Sequence, residues 1–94
     1  MGDSDWTLVD TDPRTGREIY TRPDGFTHTG NNEGTMSSDI EVRDPDGRVV
    51  VSSWFETEWE YYGAIRARFD DDGRTLVVSG TDGTSERVPI PDPA

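Results

Sequence analysis

The most regular alternation of apolar and polar residues lies between residues 48 and 62, and it predicts a β-strand. The odd-numbered positions are mostly apolar or aromatic, and they are Val49, Val51, Ser53, Phe55, Thr57, Trp59 and Tyr61. The even-numbered positions from 54 onward are Trp54, Glu56, Glu58, Glu60 and Tyr62. Successive strand residues point to opposite faces of a sheet. One face should therefore join the core, while the other presents three glutamates between two aromatic rings.

A short helix over residues 53–62 is the alternative for part of this stretch. Ser53 followed by Glu56 matches a capping box, and Gly63 stands where a helix would end. Several of the aromatic residues also recur at helical spacing. Most residues other than the glutamates are β-branched or aromatic, however, and such residues favour strands. We therefore predict a strand here.

Short alternating runs separated by turn-forming residues predict further strands. They cover residues 6–11, 17–21, 39–43, 65–69, 74–79 and 85–90. Asp, Pro and Gly cluster between these runs, and they favour tight turns because of their backbone preferences. Short connections join antiparallel neighbours. The sequence therefore predicts an all-β domain in which six or seven antiparallel strands form a meander, curled into a small barrel or a sandwich.

The inward positions of these strands supply the expected core. It consists of Val49, Val51, Phe55, Trp59, Ile65, Phe69, Leu76 and Val78. Pairing across the Asp-Pro-Asp-Gly turn places Val42 opposite Val49. Pairing across the Asp-Asp-Asp-Gly turn places Ala67 opposite Leu76. Apolar residues then meet apolar residues, which supports both registers.

Pairing across Gly63 would continue the meander and would give the glutamate row a structural explanation. It sets Glu60 against Arg66 and Glu58 against Arg68. Cross-strand ion pairs of this kind are common on solvated faces, where each contributes at most about 1 kcal/mol. Glu56 is left without such a partner.

Residues 26–38 have no apolar periodicity and many turn-forming residues, so we expect a long irregular loop there. Loops of this length are usually functional or disordered. It contains the only histidine, His28. All 94 residues, including this loop, should form a single domain, with residues 1–5 and 91–94 as frayed tails.

The net charge of −11 arises from 20 acidic residues and nine arginines, with no lysine. Such a surface repels phosphate, which disfavours direct binding to nucleic acid and to anionic membranes. A basic protein is the expected partner. Adaptation of the surface to a salt-rich medium is the alternative origin of the charge. The start of the chain has neither a basic region nor an apolar run, so we expect the cytoplasm.

Catalytic and metal-binding signatures are weak. The chain has no cysteine, and a lone histidine does not form a transition-metal site. Acidic turns such as residues 70–73 resemble calcium loops only in part, because they lack the distal bidentate glutamate. The glutamates could act as a glycosidase pair, but a domain this small rarely has a deep cleft. We expect no enzymatic activity, cofactor or metal, and keep a calcium-binding β domain as an alternative.

Aromatic rings beside carboxylates bind Arg and Lys side chains well, because the acids attract the charge and the rings add cation–π contacts. We therefore predict a non-enzymatic protein-binding module of the inhibitor or immunity-protein type, with an oligomeric state that the sequence leaves open. A structural or assembly domain is the alternative. The predicted contact residues are Trp54, Glu56, Glu58, Glu60 and Tyr62.

Overall fold

The computed structural model describes residues 5–92, which form two antiparallel sheets. The strands are β1 (Thr7–Thr11), β2 (Glu18–Gly30), β3 (Glu33–Arg43), β4 (Val49–Glu60), β5 (Ile65–Phe69), β6 (Thr75–Gly80) and β7 (Ser85–Pro89). The first sheet has the order β1-β2-β3-β4 and the second has the order β5-β6-β7. Each sheet is a meander, as predicted, and the two pack as a sandwich rather than closing into a barrel. No helix within residues 5–92 is long and apolar enough to cross a bilayer.

The core lies between the two sheets and contains most of the predicted residues. Its buried members are Ile19, Ile40, Val42, Val51, Phe55, Ala67, Leu76, Val78 and Ile90. Ile65 and Phe69 are partly buried against it. Val49 was predicted to be in the core but is 44% exposed. An irregularity in the β3–β4 ladder beside Val49 turns its side chain to the same face as its partner, Arg43.

The alternation predicted for β4 is confirmed, and the helical alternative for residues 53–62 is wrong. Side chains of β4 are buried and exposed in turn from Trp54 to Glu60. Phe55, Thr57 and Trp59 point to the core side. The glutamates therefore share the opposite face.

The registers of two predicted hairpins are wrong by two residues. Val42 pairs with Val51, two positions beyond its expected partner. Ala67 pairs with Val78, which is also two positions further along. In the first hairpin, Gly47 takes a φ of 90°, and the Asp44 amide closes the turn onto Arg48. A shift of two residues leaves side chains on their predicted faces, so the core is conserved despite the error, with Val49 at the irregularity as the exception.

The hairpin predicted between β4 and β5 does not form, because the two strands belong to different sheets. Tyr61 has a φ of 65°, and the Tyr62 amide donates to the Glu60 carbonyl at 2.7 Å. This tight turn takes the chain out of the first sheet. None of the residue pairs predicted between the two strands is present.

The irregular loop predicted at residues 26–38 is wrong, since those residues form the outer half of the β2–β3 hairpin. The two strands pair from Glu18 and Arg43 to Gly30 and Glu33. An extra residue after Pro23 accommodates the proline, which cannot donate to a regular ladder. Most side chains in residues 23–33 are exposed.

The tails predicted at residues 1–5 and 91–94 lie mostly outside the described residues. Where the second tail begins, the Pro91 carbonyl accepts a hydrogen bond from Arg17 Nη1. Arg17 is only 3% exposed, so residue 91 is tied to the body of the domain.

Candidate functional site

The glutamate row lies on the solvent face of β4, next to β3. Glu56, Glu58 and Glu60 are all exposed. Their partners on β3 are Ser37, Thr35 and Glu33, respectively. Directly paired strand residues share a face, so Glu33 extends the row onto the neighbouring strand. We call Glu33, Glu56, Glu58 and Glu60 the acidic face.

The acidic face has no internal counter-ion among residues 5–92. Every ion pair found within residues 5–92 involves a carboxylate outside the acidic face. The two ion pairs predicted for Glu58 and Glu60 are wrong, because Arg66 and Arg68 lie on the second sheet. Arg68 instead lies 3.8 Å from Asp70.

Glu33 and Glu60 stand directly opposite each other, and like charges in that position destabilise a sheet. This arrangement gives the fold no electrostatic benefit. A bound cation would remove the repulsion.

A cleft of about 700 Å³ opens where β4 ends. Its lining includes Glu33, Glu58, Glu60, Tyr61, Tyr62 and Asp82. Three of the five predicted contact residues therefore meet at the cleft, together with two acids and a tyrosine that the sequence did not single out. Trp54 and Glu56 lie further along the same strand and do not line it.

Trp54 is held in place beside the acidic face. Its Nε1 donates to Asp24 Oδ2 at 2.7 Å, while the residue stays 50% exposed. Asp24 is the extra residue between Pro23 and Gly25 in the β2–β3 ladder, so it reaches β4 across the intervening strand. The ring is thus fixed before any ligand arrives. Sequence spacing could not show this contact, which joins residues 30 positions apart.

Tyr61 and Tyr62 also have exposed rings, at 80% and 71%. The left-handed backbone of Tyr61 turns its side chain outward. Positive φ is uncommon for a bulky residue, and such strained positions often occur at functional sites. No sequence signal marks this turn, because the strained residue is not a glycine.

An aromatic cluster supports the acidic face from the core side. The rings of Phe26 and Trp59 stack with centroids 4.9 Å apart, and His28 meets Trp59 edge-on at the same distance. Gly34 lets β2 and the indole approach closely, since a Cβ there would collide with the Thr27 carbonyl and lie 3.0 Å from Cζ2 of Trp59. Trp59 Nε1 is buried and has no hydrogen-bond partner within residues 5–92. His28 therefore has a packing role, which its apparent loop position did not suggest.

The turn between β6 and β7 closes one side of the site. Asp82 Oδ2 accepts the backbone N–H of Glu58 at 3.2 Å. Hydrogen bonds from the Thr84 hydroxyl and amide, and then from Thr57 and Glu58, lower the pKa of Asp82 well below its ordinary value. The carboxylate is therefore charged throughout the neutral range, and it adds to the negative potential at the cleft.

The acidic turns have structural roles that account for their composition. Asp46 Oδ1 and Asp72 Oδ1 each accept the amide two residues ahead, at 2.9 Å. Such bonds stabilise turns. Within residues 5–92, no three His, Asp or Glu side chains are grouped so that they could hold a metal ion.

Comparison with known proteins adds no relative to this picture. A scan against protein-family models, a search of curated proteins and a search of solved structures gave no match.

Proposed function

We propose that this protein is a non-enzymatic binding module whose acidic face holds a basic surface of a partner protein. The observation that carries the proposal is a set of four exposed glutamates without internal counter-ions, next to exposed aromatic rings. Trp54 stands at one end of the glutamate row and Tyr62 at the other.

The chemistry of this face suits arginine and lysine side chains. Carboxylates attract the charged group, and an aromatic ring within about 6 Å adds a cation–π contribution of roughly 0.5–1 kcal/mol at exposed sites. Trp54 is already fixed by Asp24, so little side-chain freedom would be lost on binding. The net charge of −11 would also steer a basic partner toward the protein.

The class of function we infer is that of an inhibitor or immunity protein, which blocks a basic partner by covering its surface. This class is an analogy based on size and charge. The same charge disfavours nucleic acid as a direct ligand, because phosphates would be repelled. We propose the cytoplasm as the location.

Salt adaptation is a second candidate, because acidic residues are also exposed away from the acidic face. Examples are Asp46, Asp71 and Glu86. This hypothesis predicts that the melting temperature rises strongly with KCl, since screening reduces repulsion over the whole surface. It also predicts that all surface carboxylates are equivalent in partner binding.

The experiment that separates the two compares variants with equal changes in charge. Glu56→Gln with Glu58→Gln removes two of the four charges of the acidic face, and Asp71→Asn with Glu86→Gln removes two exposed charges elsewhere. Immobilised proteins are exposed to lysate of the source organism and washed with a salt gradient. Any captured protein is then purified, and its affinity is measured by calorimetry.

We expect the acidic-face variant to release a basic partner at lower salt than the native protein, and to bind it at least about tenfold more weakly. The control variant should bind as the native protein does, and both should unfold at the same urea concentration as the native protein. Equal weakening by the two variants would show that overall charge, rather than this face, determines binding.

A further inference from the structure

One edge of β4 is open for part of its length. β4 is the last strand of the first sheet, so no described strand pairs with its outer side. The Glu58 amide donates to Asp82, whereas the Tyr61 amide donates to the Asn32 carbonyl on the β3 side. Backbone groups of an antiparallel edge strand point alternately toward and away from the neighbour. The backbone N–H and C=O groups of the even-numbered residues of β4 therefore point away from β3.

This alternation leaves Ser52, Trp54 and Glu56 with outward N–H and C=O groups. None of the turn, loop or side-chain hydrogen bonds found within residues 5–92 engages their amides. The segment from residue 52 to residue 56 is about 16 Å long at the usual rise per residue. That length is enough for a short added strand.

The other three sheet edges are protected. β1 contains a bulge between Leu8 and Asp10. The Phe69 amide on β5 donates to the Asp10 carboxylate at 2.8 Å. β7 ends in Pro89, which cannot donate to a further strand. Natural sheets commonly protect their edges in these ways. On β4 the corresponding contact, from the Glu58 amide to Asp82, lies near the end of the strand and leaves the backbone of residues 52–56 open.

We infer that β4 accepts an extended segment of the partner as a fifth strand of the first sheet, with Arg or Lys at alternate positions. This inference rests on the proposed function and specifies how the partner is recognised. Side chains directly paired across strands share a face. Alternate residues of the added strand would therefore stand beside Trp54, Glu56 and Glu58, where basic groups are favoured.

A second copy of this chain is a less suitable occupant. Two β4 strands side by side would bring two glutamate rows together, and each molecule carries a net charge of −11. Like charges at paired positions destabilise a sheet. Charge complementarity thus selects a basic segment over self-pairing.

The test uses a defined probe, the peptide acetyl-Thr-Arg-Val-Arg-Val-Arg-Thr-amide, and amide hydrogen exchange measured by NMR on the native protein. In the free protein, the amides of Ser52, Trp54 and Glu56 should exchange quickly, while those of Ser53 and Phe55 are protected by β3. At saturating peptide, the three fast amides should slow by at least about tenfold, because they gain backbone partners. If exchange at these amides slows with rising protein concentration in the absence of peptide, a second copy of the chain occupies the edge, and the inference is overturned.

Two N-methylated peptides with the same charge provide the control. One carries methyl groups on two arginine amides, and the other on the two valine amides. In a given strand orientation, either the arginine amides or the valine amides of the peptide face β4. Methylation of the set that faces β4 should lower the affinity at least about tenfold, while methylation of the other set should change it little. Equal losses would overturn strand addition and leave the proposed function standing. Failure of the parent peptide to bind also overturns strand addition, whereas the proposed function fails only if the lysate comparison fails too.

Discussion

The two ends of the first sheet differ in whether their carboxylates have ion-pair partners. At the turns around residues 12–17 and 44–48, which we call the arginine end, Arg17 Nε lies 2.8 Å from Asp44 Oδ1. Arg48 Nη2 contacts the same carboxylate at 3.1 Å. At the other end, the acidic face contains no ion pair among the described residues. One end supplies its own cations, and the other does not.

Aromatic rings also differ in whether an arginine lies against them. The guanidinium of Arg22 lies 4.5 Å from the ring centre of Trp6, and that of Arg43 lies 4.2 Å from the ring centre of Tyr20. Trp54 and its neighbouring tyrosines are exposed beside carboxylates instead. The chain thus builds ring–arginine–carboxylate groups on β1, β2 and β3, one of them with Arg22 and Asp39, and leaves the cation out at the acidic face. The missing component is an arginine or lysine, which is what the proposed partner would supply.

The largest expected effect comes from breaking the arginine end. Arg17→Met removes a guanidinium that is 3% exposed and bonds both Asp44 and the Pro91 carbonyl. Loss of one member of a buried pair costs roughly 3–5 kcal/mol. We expect the lower part of that range, about 3 kcal/mol in urea unfolding, because Asp44 keeps its contact with Arg48.

Arg48→Met is the matched control, since its side chain is 66% exposed. It should cost less than about 1 kcal/mol, as exposed ion pairs do. If both variants lost the same free energy of unfolding, burial would not explain the importance of Arg17. Neither substitution should change binding at the acidic face.

A smaller effect is expected from Asp82, which links the second sheet to β4. Its pKa is lowered in the folded protein, mainly by the Thr84 hydroxyl and amide. A carboxylate of this kind stabilises the fold above its unfolded pKa near 3.8, and the contribution is lost as the pH falls below that value. Asp82→Asn should therefore lower the melting temperature at pH 7 and reduce the loss of stability between pH 4 and pH 2.

The control for Asp82 is Glu86→Gln, an exposed neighbour on β7. It makes the same change in charge and should leave the acid dependence as it is in the native protein. An unchanged pH profile in Asp82→Asn would show that the hydrogen bonds of the Asp82 carboxylate, taken together, do not stabilise the fold. Hydrogen exchange at Glu58 gives an independent measurement, because its amide should exchange faster in the variant.

The sequence predicted strands well where one face is buried and the other is solvated. In β4, the alternation of Phe55, Thr57 and Trp59 with glutamates identified both the strand and its outer face. The outer half of the β2–β3 hairpin lacked this signal, because its side chains on β2 are exposed and the buried ones on β3, such as Ser37 and Ser38, are not apolar. A strand without alternating buried apolar residues looks like a loop in sequence.

The candidate site could be predicted only in part, because two of its determinants are not local. The turn at Tyr61 has positive φ without glycine, so the departure of the chain from the first sheet had no recognisable signal. The contact of Trp54 with Asp24 crosses a strand, and it depends on the extra residue in β2. Residue type predicted the glutamate row. The absence of its predicted arginine partners could not be predicted, because it follows from the position of β5 in the second sheet.

The smallest expected effect is the sharpest test of the comparison. Removing one glutamate charge should stabilise the domain at the acidic face and destabilise it at the arginine end. Glu60→Gln removes a charge directly opposite Glu33 and should stabilise the domain by a few tenths of a kcal/mol, roughly the lower limit for a cross-strand pair. Glu41→Gln breaks a 2.9 Å contact with Arg43 at the arginine end and should destabilise it by a similar amount, up to about 1 kcal/mol. Urea unfolding at low salt measures both, and 1 M KCl should shrink both through screening. Effects of the same sign would mean that overall charge, rather than local pairing, governs stability at the two ends.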